Sequence, residues 1–209
     1  GQKIYKERIQ NYGRLGLAYR KLGGNENFES AVKCYENSSI VARNYSAFLQ
    51  QQEDLSLDGK RAVAESYRLM GEARGSIDSH RDYKATYQFK KALADYEQAV
   101  RLWSQIAEET QKPEDKKELA LCYYGIGKIY FQIEEEELFE KSKEFYQKAL
   151  ELFEELLSFL YTNEMWANLA LSYTGLAACY TKKPPAEPEK KYIVDDLYGK
   201  ALKIVERLI

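Results

Sequence analysis

The chain has 209 residues, of which 44% are hydrophobic and 31% charged, with a formal net charge of −2 at pH 7. That composition excludes intrinsic disorder, and the length allows one sizeable domain or a short repeat array with its own core. The near-neutral balance gives no general pull toward nucleic acid or an anionic membrane, and no run approaches the ~20 apolar residues of a membrane span.

Charge is unevenly spread: residues 1–105 carry 17 Lys/Arg against 13 Asp/Glu, and residues 106–209 carry 14 against 20. Solvated helix faces account for a difference of that size. Cys34, Cys122 and Cys179 are odd in number and far apart. A secreted disulfide framework is even and clustered, so a reducing, cytoplasmic setting is expected. No signal segment opens the chain. The first residue is Gly rather than Met, which reads as a piece of a larger protein.

Glu, Lys, Leu, Ala, Gln and Arg dominate, and apolar residues recur at three- and four-residue spacing. Both features predict helix, and hairpin signals are absent. A first helix is expected over about 2–22, ended by Gly23-Gly24-Asn25, and a second over about 27–52. Residues 53–58 (EDLSLD) separate it from a third over about 57–76, and 75–82 (GSIDSHRD) from a fourth over about 83–110. Lys112-Pro113-Glu114-Asp115 predicts a helix start, with Pro in the first turn and acids at the positive helix end; that helix covers about 114–133. A sixth covers about 138–160, and Thr162-Asn163-Glu164 offers the N-cap of a seventh over about 163–182. KKPPAEPEK (182–190) breaks the pattern before an eighth over about 189–208.

Two of these helices repeat one phrase. LALCYYGIGKIY (119–130) and LALSYTGLAACY (169–180) share six of twelve residues at an offset of fifty. YGRLGLAY (12–19) and, more weakly, YRLMGEAR (67–74) echo it, the latter lacking the final aromatic. The second helix of each pair carries an aromatic, a small residue, an aromatic and a small residue. The sets are Phe28, Ala31, Tyr35, Ser38; Phe89, Ala92, Tyr96, Ala99; Phe139, Ser142, Tyr146, Ala149; and, reduced, Val194, Tyr198, Ala201.

The pattern is similar to the tetratricopeptide repeat, W-x2-L-G-x2-Y followed by small, aromatic and small positions. Tyr12, Leu15, Gly16 and Tyr19 fit its first helix best; Tyr123, Ile126, Gly127 and Tyr130 nearly as well; Tyr173, Leu176, Ala177 and Tyr180 put Ala for Gly. The resemblance implies an all-α fold, a right-handed α-solenoid of about eight antiparallel helices in four pairs (about 2–52, 57–110, 114–160 and 163–208) forming one domain. The period departs from the family's ~34 residues, since the first-helix Tyr recurs at 12, 67, 123 and 173. Arg43, Ser104, Glu154 and Glu206 stand where the family has its helix-ending Pro. Each second helix is therefore expected to run on about two more turns, giving an elongated array.

Catalytic and cofactor readings fare poorly. His80, the single histidine, falls in a connector where an exposed histidine is ordinary, and the cysteines fall on packing faces. Gly125-Ile126-Gly127 lacks the strand–turn–helix setting of a phosphate loop, so its glycines, with Gly175, read as close-contact positions. Glu134–Glu137 lacks the ligand alternation of a calcium loop and reads as a solvated turn, and the cysteines lack CxxC or histidine partners for a metal. Eighteen tyrosines suggest stacking on single-stranded nucleic acid, but most fall at packing positions. No enzyme activity, cofactor, metal, nucleic acid or membrane partner is expected.

The resemblance places partner contacts on the first helices. Carried over by position, that face holds Gln10, Gly13, Arg14, Leu17, Lys21, Arg68, Glu72, Tyr124, Lys128, Gln132, Thr174 and Lys182. Basic residues outnumber acids there, so an acidic peptide or protein is the expected partner of a binding scaffold. Two alternatives keep the fold: a peptide-responsive sensor domain of a larger signalling or transcription-regulating protein, and self-association through the ends of the array.

Overall fold

The structure, a computed structural model, describes residues 2–22, 25–50, 56–76, 83–133, 135–182 and 189–208. Among them are eight helices: α1 (Gln2–Leu22), α2 (Asn25–Gln50), α3 (Leu57–Gly75), α4 (Tyr83–Thr110), α5 (Pro113–Ile133), α6 (Glu136–Leu156), α7 (Asn163–Lys182) and α8 (Glu189–Leu208). The described residues form no strand, and none of these helices is long and apolar enough to cross a membrane. The chain divides into two compact units, Gly1–Ile106 and Ala107–Ile209.

Local chemistry sets the helix ends. Ser56 caps α3 by accepting a bond from the Gly59 amide at 3.2 Å, with Asp58 in the first turn. α4 stops where Gln111 turns into the left-handed region, φ 54°, its amide donating to the Ala107 carbonyl at 2.9 Å. Pro113 then opens α5 ahead of Glu114 and Asp115, and the Thr110 hydroxyl donates to Asp115 at 2.6 Å across the junction. Thr162 caps α7 by accepting from the Met165 amide at 3.2 Å. α6 ends at Leu156, short of residue 160, because its last turn tightens: Leu157 N–H bonds the Glu154 carbonyl and Phe159 N–H that of Leu156.

In unit Ala107–Ile209, α5 and α6 run antiparallel: Tyr123 meets Phe145 at 6.0 Å between ring centroids and Phe131 meets Phe139 at 5.9 Å. α7 and α8 do likewise, with Lys200 over Tyr173 at 5.6 Å and Arg207 near Trp166 at 6.0 Å. One core joins all four helices, including Phe153 and Leu156 of α6, Met165, Leu169 and Cys179 of α7, and Ala201 and Ile204 of α8. Burial of each large side chain there is worth about 1.5–3 kcal/mol.

The ring of Tyr146 occupies the centre of this core. A methyl group on Gly127 of α5 would stand 3.1 Å from it, and one on Gly175 of α7 only 2.5 Å. α6 thus seats one aromatic against two glycine surfaces, one on its own partner helix and one on the next pair. One turn earlier, the fully buried Ser142 donates to the Gly127 carbonyl at 2.8 Å and lies 3.1 Å from the Cys179 sulfur. The small residue of the repeat pattern therefore lets the helices approach and also satisfies its hydroxyl.

In unit Gly1–Ile106, Tyr5 of α1 stacks on Tyr45 of α2, centroids 4.7 Å apart, and Ala42 of α2 packs with Met70 of α3. α4 buries Phe89, Ala92, Tyr96 and Ala99, the four positions of the repeat pattern. A methyl on Gly71 of α3 would stand 2.6 Å from the Tyr96 ring. The glycine–tyrosine fit thus recurs in both units.

One departure from the pattern is a buried ion pair. Arg74 of α3 bonds Asp95 of α4, both side chains nearly sealed from solvent. Counting from the motif tyrosines, these positions match Tyr130 and Phe145, whose rings stack at 5.8 Å in the α5–α6 pair. Burial raises the Asp95 carboxyl above its ordinary value, outweighing the lowering effect of Arg74, Arg43 and Lys91.

Two tests follow from this packing. Gly175→Ala and Gly71→Ala are each expected to lose about 1–3 kcal/mol in urea unfolding, although alanine favours helix. Gly199→Ala of α8, where nothing lies within 4 Å, is expected to gain about 0.5–1 kcal/mol; a gain at all three sites would contradict the fit. Secondly, Arg74→Ala or Asp95→Ala alone is expected to lose about 3–5 kcal/mol by stranding a charge, whereas Arg74→Tyr with Asp95→Phe, the α5–α6 combination, is expected to be neutral or stabilising. Because the folded Asp95 value is raised, its contribution is full below the unfolded carboxyl value and lost as pH rises through the folded one. Wild type should therefore gain on that double variant as the pH falls.

Candidate functional site

In unit Ala107–Ile209 the motif residues of the first helices fall on their packed side. Ile126 and Gly127 of α5 and Leu176 and Ala177 of α7 are buried, and Tyr173 is buried with its hydroxyl donating to Glu154 of α6. Burial and the Glu154 carboxylate both raise the Tyr173 phenol above its ordinary value, so it stays a neutral donor. The candidate contact residues lie at other registers of the same helices.

In unit Gly1–Ile106, Arg14 of α1 is exposed. Gln10, Gly13, Leu17 and Lys21 belong to α1 by backbone, and their side chains lie outside the described residues. On α3, Arg68 and Glu72 are brought together: the Arg68 guanidinium bonds the Glu72 carboxylate at 3.1 Å, one helical turn apart. Part of the positive charge expected of this face is thus answered within it.

In unit Ala107–Ile209, Tyr124, Lys128 and Gln132 follow one another at four-residue spacing along α5, all half-buried. Tyr124 packs its ring 5.7 Å from Tyr146 and so serves the core as well as the surface. The Gln132 side-chain oxygen is buried without a hydrogen-bond partner. Thr174 and Lys182 of α7 are exposed, the Thr174 hydroxyl turning back to the Ala170 carbonyl at 2.8 Å. α5 and α7 touch directly, so these residues share neighbouring helices. At the N-terminal ends of the two helices Lys117 of α5 reaches Glu164 of α7 at 3.6 Å.

His80 and Glu134 lie outside the described residues. Among the described residues no group of three or more His, Cys, Asp or Glu is placed to hold a metal ion. The three cysteines are buried and unpaired by disulfide. Burial pushes the Cys34 and Cys179 thiols above their ordinary value, against the weaker opposing pull of Lys33 on the first and of the Ser142 hydroxyl and Lys143 on the second. The Arg74–Asp95 pair leaves little trace in the sequence. Its signal was the absence of an aromatic at Arg74, matched by Asp95 where the other second helices have Phe145, Leu197 or Cys34.

No protein-family model matches the chain, and no curated protein matches it. Solved structures do. The de novo designed helical repeat protein DHR64 aligns with 100% of this chain and 97% of its own at a TM-score of 0.51 and 16% identity. The DHF58 filament aligns with 99% of this chain and 95% of its own at 0.52 and 15% identity. At such identity the likeness is one of fold. The chain has the all-helical fold of a helical repeat protein.

Burial of the thiols makes a chemical prediction. A water-soluble disulfide reagent near neutral pH should modify Cys34, Cys122 and Cys179 slowly in the native chain and rapidly after denaturation. Fast native reaction at any of them would contradict the packing described.

Proposed function

We propose that the chain is a protein- or peptide-binding scaffold of tetratricopeptide-like build, working through the surface of its first helices and performing no chemistry of its own. The observation that carries this reading is the division of labour on those helices. On α3, α5 and α7 glycine positions are used in close packing, while Glu72, Thr174 and Lys182 on these helices, and Arg14 on α1, face solvent. Within each unit, a preordered surface of that kind binds an extended segment without a large ordering cost. The basic excess of Arg14, Lys21, Arg68, Lys128 and Lys182 over Glu72 favours an acidic segment. Association between copies is a second reading, favoured by the exposed apolar side chains Tyr198, Leu202 and Val205 of α8.

The test is fluorescence polarisation with a labelled, Asp/Glu-rich peptide, comparing wild type with Arg14→Glu, Arg68→Glu and Lys128→Glu combined. Wild type is expected to bind, more weakly as salt rises, and the triple variant is expected to lose binding by at least about tenfold. Equal affinity in the two proteins would overturn the acidic-partner reading.

A further inference from the structure

α6 and α8 are equivalent second helices. Residues 146–156 (YQKALELFEEL) and 198–208 (YGKALKIVERL) share Tyr, Lys, Ala, Leu, Glu and Leu at an offset of 52. Their surroundings repeat as well. Lys148 bonds Glu144 at 2.6 Å and Lys200 bonds Asp196 at 2.9 Å, and Lys148 lies over Tyr123 as Lys200 lies over Tyr173. The inward row of α8, Leu197, Ala201 and Ile204, is buried in the common core.

The outward rows differ. Tyr146, Leu150 and Phe153 are 4%, 6% and 0% exposed, whereas their counterparts Tyr198, Leu202 and Val205 are 41%, 59% and 43% exposed. What covers the α6 row is the first helix of the next pair: Gly175 of α7 lies on Tyr146, and Cys179 meets Ser142. α8 presents the same row uncovered.

α1 shows the matching deficit. Met165, Leu176 and Cys179 of α7 are buried. Counted from Tyr12 as those are from Tyr173, the equivalent positions in α1 are Ile4, Leu15 and Ala18, and all three are exposed, as is Leu22 one turn on. The opposite side of α1 is occupied, with Gly16 buried and Tyr5 stacked on Tyr45.

We propose that a second copy of this chain lays its α1 along the outward row of α8, repeating between molecules the contact that α7 makes with α6. The proposal rests on the self-association reading and names its two surfaces. Continuity with an interface already present in the fold identifies the occupant, because α1 exposes the register that α7 uses there. The opposite charge balances of residues 1–105 and 106–209 favour the same head-to-tail order. One residue weakens the match. Arg14 stands at the register of Gly175, so Tyr198 meets a guanidinium where Tyr146 meets bare backbone; the contact is a reversible one in which Arg14 lies over the Tyr198 ring. Each added copy leaves one α1 and one α8 uncovered, so the contact is heterologous and lets further copies add.

Sedimentation velocity of the whole chain over an about hundredfold concentration range tests this. Two variants, Leu202→Glu with Val205→Glu and Leu15→Glu with Leu22→Glu, alter exposed positions, and circular dichroism with a urea midpoint checks that each remains folded. The wild-type sedimentation coefficient is expected to rise with concentration, and that of each variant alone to stay at the monomer value. An equimolar mixture of the two variants is expected to associate and to stop at two chains, since one intact surface of each kind remains. A wild type that is monomeric throughout would overturn both self-association and the proposal. Association undiminished in the variants would leave self-association standing and remove these surfaces. Variants that lose association singly and fail to recover it when mixed would overturn the head-to-tail order.

Discussion

The fold depends on how closely a second helix can approach the first helices on either side of it. Tyr146 sets that distance in unit Ala107–Ile209, because its ring lies against Gly127 of α5 and Gly175 of α7 at spacings where a β-carbon would intrude. The rest follows from that approach. Ser142 comes within bonding distance of the Gly127 carbonyl and Cys179. Phe145 then lies near both Tyr123 and Tyr130. Interiors are packed as densely as molecular crystals, so a bulky ring and two missing side chains form one unit of shape. Tyr96 and Gly71 repeat half of it in the other unit.

This packing explains how the surface is partitioned. Once the tyrosine, aliphatic and glycine registers of a first helix are committed to its neighbours, the registers between them carry the polar residues. Arg68 and Glu72 show that such a face is partly neutralised from within. Arg74 and Asp95 show the reverse, an ion pair placed where the other pair stacks two rings. The raised Asp95 carboxyl records what burial costs that pair.

The helices were legible because their signals are local. Pro113 with its two acids, Thr162 and the three- and four-residue apolar spacing each act within a turn, and α4 ends at Thr110 and α7 begins at Asn163 where those signals place them. The end of α6 was less legible, since Leu157–Leu160 is apolar enough to continue a helix and the turn there is set by backbone bonds to Glu154 and Leu156. Glycine offered a similar lesson. Gly125 and Gly175 align in the repeated phrase, Gly175 is a close approach, and the other glycine pressed on Tyr146 is Gly127, two residues further on. Identity across repeats marks a shared position without saying which neighbour it meets. Leu15 and Tyr198 also satisfy the motif yet are exposed, whereas Tyr146, the counterpart of Tyr198, is covered by α7 of the adjacent pair. Of the candidate contact residues, the helices that carry them were legible, whereas the Arg68–Glu72 bond and the packing of Tyr124 needed side-chain positions.

Gly175 is required by the ring of Tyr146 and not by the helix that contains it. A double-mutant cycle with Gly175→Ala and Tyr146→Ala, read by urea unfolding, measures that dependence directly. The account predicts that Gly175→Ala, destabilising in the native background, becomes neutral or stabilising once the ring is gone, a coupling of at least about 1 kcal/mol. Strictly additive effects of the two substitutions would contradict it.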